Sequence, residues 1–182
     1  MLRNKYMLQT IPHWYALYLR SRFEKKVFKD LQEKNIEVFL PLIEEVHVWS
    51  DRKRKVMEPL FRGYVFVKTS LKDRYSILET GGVVRFVGIR EKPSLIPEEQ
   101  IEWLRRIIAS PEHVKREYYL NVGERVRVIG GPLMGVEGII KQLNGETRVV
   151  VSLDAIAQSV SVEVRSDLVE KKGVEKKEEV SC

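Results

Sequence analysis

One cysteine stands in 182 residues, and it is the last of them, Cys182. That leaves no intrachain disulfide and no cysteine cluster to hold a metal. Histidine is nearly as scarce. His13, His47 and His113 are scattered and lack the spacing that metal sites use. No run reaches the roughly 18 consecutive apolar residues of a membrane-spanning helix. The N-terminus, Met1 to Tyr6, lacks the apolar run and small-residue cleavage site of a secretion signal, so a cytoplasmic protein is expected. Gly130 to Gly135 has the glycine spacing of a phosphate loop, but Val136-Glu137 follows where Lys and Ser/Thr are needed. No nucleophile elbow occurs either. These absences exclude the common catalytic arrangements, and no enzymatic activity, cofactor or metal is expected.

What is present begins with charge. The chain is 32% charged and 43% hydrophobic, with a formal net charge of +6. Residues 1–110 carry a net +7 and residues 111–182 a net −1. Such asymmetry suits contact with nucleic acid or an acidic partner, and it equally suits a solvated, mildly basic domain.

The first part reads as strands interleaved with helices. Trp14 to Leu19 is aromatic and apolar, the pattern of a buried strand. Phe23, Val27 and Leu31 then recur every fourth residue, with Arg22, Lys25, Lys26 and Lys29 on the opposite side of the implied helix. Ile43 to Trp49 and Val56 to Glu58 read as a hairpin with Arg52-Lys53-Arg54-Lys55 at its tip. Gly63 to Val67 and Val83 to Val87 read as strands, and Lys72 to Glu79 as a short helix. Pro97 is placed to open a further helix, with Ile101, Leu104, Ile107 and Ile108 on its apolar face. The second part changes character. Arg125 to Val128, Val136 to Leu143, Thr147 to Leu153 and Ser159 to Arg165 are short strands, the middle pair joined at Asn144-Gly145. Such a series makes a small β-barrel. The fold class is therefore α+β: an α/β sandwich followed by a barrel. The expected organisation is an extension over 1–12, a first domain over 13–109, a linker over 110–119, a barrel over 120–172 and a disordered, charged tail over 173–182.

Two segments resemble a known family. Trp14-Tyr15, the basic helix, Pro59 to Val67 and Thr80-Gly81-Gly82-Val83 come in the order of the N-terminal domain of NusG/RfaH transcription factors. Val122 to Val128, then Gly131-Pro132 and Gly138, with Val169-Glu170-Lys171 closing, resemble the SH3-like KOW domain that follows it. The resemblance covers about residues 13–172. It implies an elongation or antitermination factor that docks on the clamp helices of RNA polymerase and suppresses pausing. It also implies that the KOW domain recruits a second partner, either Rho or a small-subunit ribosomal protein. The family's usual Phe-Gly-Arg in the later barrel loop is replaced by Asp154-Ala155-Ile156, which argues against Rho. Together with Arg62-Gly63-Tyr64 in place of Pro-Gly-Tyr, the change favours an operon-specific paralogue over a general NusG. A ribosome-associated, RNA-binding KOW protein is a further alternative. A monomer is expected.

The resemblance assigns polymerase docking to Tyr18, Tyr64 and Phe66, with Phe61 nearby. An exposed aromatic cluster offers large contact area at low entropy cost, and ordinary core is the alternative. Arg20, Arg22, Lys25, Lys26 and Lys29, with Arg52, Lys53, Arg54 and Lys55, are candidates for upstream DNA or the non-template strand, against solvated surface. Leu133, Met134 and Val136 form a candidate partner loop on the barrel, against folding back over its end.

Overall fold

The computed structural model describes residues 10–48, 53–89, 92–110, 114–117, 123–143 and 146–172. In chain order the elements are β1 (His13–Leu19), α1 (Glu24–Glu33), β2 (Glu37–Phe39), β3 (Leu42–Val48), β4 (Lys53–Pro59), β5 (Tyr64–Thr69), α2 (Arg74–Leu78) and β6 (Val83–Phe86). There follow the two-residue strands β7 (Gly88–Ile89), β8 (Lys92–Pro93) and β9 (Leu95–Ile96), then α3 (Glu98–Ala109) and β10 (Val114–Glu117). The last part is β11 (Arg125–Val128), β12 (Glu137–Leu143), β13 (Glu146–Leu153), β14 (Gln158–Glu163) and β15 (Val169–Lys171).

β1 is aromatic and apolar from Trp14 to Leu19, and it lies inside a sheet covered over most of both faces. The strand order is β2-β5-β1-β6, and β9 pairs with the start of β1. Alternation sends Tyr15, Leu17 and Leu19 to one face, where they pack with Val65, Val67 and the buried Val27 and Leu31 of α1. Trp14 and Ala16 go to the other face, with Phe66 and with Ile101, Leu104 and Ile107 of α3. The second helix layer explains why both faces of β5 are apolar.

Local chemistry sets the helix ends. α1 stops where Asn35 adopts a left-handed φ of 58°. There the Ile36 amide donates to the Leu31 carbonyl at 3.1 Å and the Asn35 amide to that of Gln32 at 2.9 Å, which satisfies carbonyls at the helix end. Gly82 has φ 105°, and a Cβ there would collide with the Phe23 ring, so the turn into β6 requires glycine. α3 begins after Pro97, and Glu98 and Glu99 in its first turn face the positive end of the helix dipole. The expected helix over Lys72 to Glu79 is shorter, a single 3-10 turn followed by α2.

The barrel sheet runs β10-β14-β13-β12-β11-β15. Val126, Val128, Val149, Val151, Val160 and Val162 fill its interior. The segment read as a linker over 110–119 is partly ordered into this sheet: β10 pairs antiparallel with β14. Arg148 is fully buried, and its Nε donates to Ser161 Oγ at 3.0 Å. One apolar cluster runs from the N-terminal sheet through α3 into the barrel, so α3 is packed on two sides. Arg106 of α3 donates to the Met134 carbonyl, and Arg116 of β10 donates to the carbonyls of Pro59 and Leu60 at 2.7 and 2.9 Å.

Candidate functional site

Strand alternation places Tyr18, Tyr64 and Phe66 on one face, as the sequence indicates, but at different depths. Tyr18 is 38% exposed and Tyr64 half-buried, their ring centroids 5.5 Å apart. Phe66 and Phe61 are fully buried, meeting edge to face at 5.9 Å. These two are core where docking surface was expected. The cause is α3, whose Ile101, Leu104 and Ile107 cover the inner half of that face. Of the four aromatic residues only Tyr18 and Tyr64 reach solvent.

Beside the tyrosines lies a groove of about 800 Å³ between the start of α1 and the β3–β4 ribbon. Tyr18, Arg22, Lys25, Pro59, Arg62 and Gly63 line it. Lys25 bridges it, its Nζ donating to the Met57 carbonyl at 2.7 Å. Glu24 is buried in its wall and accepts from the Gly63 amide at 2.7 Å. Gly63 sits at φ 79°, which lets the chain turn sharply into β5 and deliver Tyr64 beside Tyr18. Two arginines that sequence reasoning left off the site belong here. Arg62 lines the groove, and the Arg85 guanidinium lies 5.5 Å from the Tyr18 ring centre. Arg85 was legible as the residue that pairs with Tyr18 across β1 and β6, once that pairing was known.

The basic residues do not form one patch. Arg20, Arg22, Lys25, Lys26 and Lys29 are exposed. Arg22 and Lys25 face the groove, Lys26 lies 5.8 Å from the Phe23 ring centre, and Lys29 pairs with Glu33 at 3.8 Å. Lys53, Arg54 and Lys55 belong to β4, at the far end of the ribbon, and Arg52 lies outside the described residues. Lys55 is bound to Glu44 at 2.7 Å, and that hydrogen bond holds its pKa above the ordinary lysine value.

In the barrel loop Leu133 and Val136 are buried in the cluster that joins the barrel to α3, so both are core where partner-binding residues were expected. Bonds from Val136 to the Leu133 carbonyl and from Gly135 to the Val128 carbonyl fold the loop back. Met134 is 61% exposed at the loop tip, and Ile129, absent from the candidate set, is exposed on the preceding turn. Asp154-Ala155-Ile156 is a 3-10 turn with Ile156 turned inward. Among the described residues no group of His, Cys, Asp and Glu is placed to hold a metal, and no helix is long and apolar enough to cross a membrane.

Two family models match the chain: one described as transcription termination factor nusG, over residues 12–105, and the KOW motif, over residues 122–152. A transcription termination/antitermination protein NusG from Pseudomonas aeruginosa is 30% identical over 172 residues, covering 87% of this chain and 97% of the relative. The chain belongs to the NusG family. A Staphylococcus epidermidis NusG is 32% identical over 175 residues, covering 87% of this chain and 94% of its own. The fold agrees with a solved structure titled for domain interaction in Thermotoga maritima NusG, with a TM-score of 0.57 and 24% identity over 89% of this chain and 98% of that one. The protein is thus a NusG-family transcription termination/antitermination factor, an N-terminal α/β unit followed by a KOW barrel.

Proposed function

We propose that this NusG-family factor binds RNA polymerase at the clamp helices through the sheet end that carries Tyr18 and Tyr64, and thereby suppresses pausing or termination. The observation that carries the reading is the exposed Tyr18–Tyr64 pair at the mouth of a groove rimmed by Arg22, Lys25 and Arg62. An aromatic pair half out of water loses little entropy on docking, and Tyr64 is packed against the core that holds Phe61 and Phe66. Arg20, Arg22 and Lys25, with Lys53 and Arg54 on the ribbon, supply salt-sensitive attraction to upstream DNA or the non-template strand. The barrel, counted from Val114, recruits a second protein such as a small-subunit ribosomal protein. The Asp154–Ile156 turn disfavours Rho, and the same departures favour operon-specific use in the cytoplasm.

The rival of an RNA-binding ribosomal protein needs cations on the barrel that are available to phosphates. Here Arg127 and Lys172 are paired to Glu137, Lys171 to Glu124 and Arg165 to Asp167. Binding of the full chain to core RNA polymerase is the test. Saturable binding that Tyr18→Ala with Tyr64→Ala removes, in a chain that still melts cooperatively, supports the reading. Full retention by the folded double variant rules out this docking surface.

A further inference from the structure

The outermost strand of the barrel sheet is held from outside the barrel. β10 has four residues, set against β14 as Val114↔Val162, Lys115↔Ser161, Arg116↔Val160 and Glu117↔Ser159. So short a ladder is a weak anchor in itself. Arg116 supplies another. It faces the side of the sheet on which Val160 lies, yet its guanidinium leaves the barrel for the Pro59 and Leu60 carbonyls and for Glu45, which also meets Arg62 at 3.4 Å. Beneath β10, Val160 and Val162 are buried on the interior face and Ser159 and Ser161 on the other. Without β10, β14 becomes a sheet edge with main-chain groups open for pairing.

We propose that the β14 edge is the barrel's docking site for its second protein partner, and that β10 occupies it in cis. The partner contributes an extended segment that adds antiparallel in the place of β10. Two apolar side chains two residues apart cover Val160 and Val162, and polar ones alternate over Ser159 and Ser161. β10 fixes the direction and register of that segment. Its own departure from the pattern is Arg116, a long cation where a free-standing strand would carry an apolar residue, and that side chain ties it to the N-terminal sheet. The proposal rests on the reading that the barrel recruits a protein.

The test uses the full chain and a labelled synthetic peptide copying residues 112–119 with the substitution Arg116→Val. Its affinity is measured for the wild type and for Arg116→Ala, with a scrambled peptide as control and amide chemical shifts as the map. The expected result is binding at least tenfold tighter to Arg116→Ala, with shifts centred on β14 and no binding of the scrambled peptide. Should Arg116→Ala fold poorly, Glu45→Ala loosens the same anchor without touching the barrel. Equal affinity for wild type and variant, shifts centred elsewhere, or equal binding of the scrambled peptide overturns the proposal. Binding of purified small-subunit ribosomal proteins to the same samples separates the two readings: if one binds while the peptide fails to add to β14, only the strand site falls, and if none binds, the recruitment reading falls with it.

Discussion

Among the described residues the N-terminal unit leaves more of its exposed cations without a carboxylate partner than the barrel does. On the barrel, Arg127, Arg165, Lys171 and Lys172 each have a carboxylate within 2.7 Å or less. On the N-terminal unit, Arg20, Arg22, Lys53 and Arg54 are exposed with no acidic partner among the described residues. Paired surface ions are mutually screened and attract a polyanion weakly, whereas unpaired ones release counterions when they meet phosphate. The contrast gives the net charge of +7 against −1 a structural counterpart in cations that carboxylates leave free.

The largest effect expected from breaking this comparison is on folding. Phe66→Ala should cost about 3–5 kcal/mol of stability, because it empties a fully enclosed site between β5 and α3. Leu133→Ala in the barrel loop should cost about 2–5 kcal/mol, while Met134→Ala beside it changes the melting temperature little. Denaturant titration of the three variants checks this, and an unfolded Met134→Ala chain would show the loop assignment to be mistaken. Next comes docking. Tyr18→Ala with Tyr64→Ala should weaken polymerase binding by about 3 kcal/mol, roughly a hundredfold, while the chain stays folded with a modest loss of stability.

The electrostatic contrast itself has a direct measurement. Arg22→Ala with Lys25→Ala should lower the dependence of log affinity on log salt by roughly 1.5 for a single-stranded oligonucleotide. Arg127→Ala with Lys171→Ala should leave it unchanged. Similar changes from both pairs would abolish the distinction between the units. The smallest effect concerns acid stability. Burial pushes the Glu137 carboxyl up, but hydrogen bonds from Lys172 and Arg127 outweigh it and hold the group below its ordinary 4.5. A depressed carboxyl stabilises the fold above its unfolded value, and that stability is lost as pH falls through the folded one. Wild-type barrel stability should therefore decline between about pH 5 and 3 more steeply than that of Glu137→Gln, as thermal melts across that range would reveal.

Much of this was legible in one dimension. The period of Phe23, Val27 and Leu31 located α1, the run from Trp14 to Leu19 located the central strand, and the alternation from Ser159 to Arg165 located β14. Asn144-Gly145 joined the right two strands, β12 and β13, although the turn itself lies outside the described residues. The candidate site was half legible. Alternation gave the face shared by Tyr18, Tyr64 and Phe66, since that depends only on the two-residue repeat of a strand. Depth did not follow, because it depends on α3, more than thirty residues further along the chain. The same holds for Leu133 and Val136, whose apolar character fits a loop tip and an interior equally until the loop's own bonds fold it back. Residues 114–117 broke every period, since a four-residue strand is too short to show one.

The sequence by itself determined most of the longer elements, the faces of those strands and helices, the uneven charge and the family, all of which rest on local periodicity or on residues compared one at a time. Only the tertiary structure decided which aromatic residues stay wet, which cations are already paired and where Arg116 makes its bonds. Those outcomes depend on contacts between segments far apart in the chain, and local pattern carries no record of them.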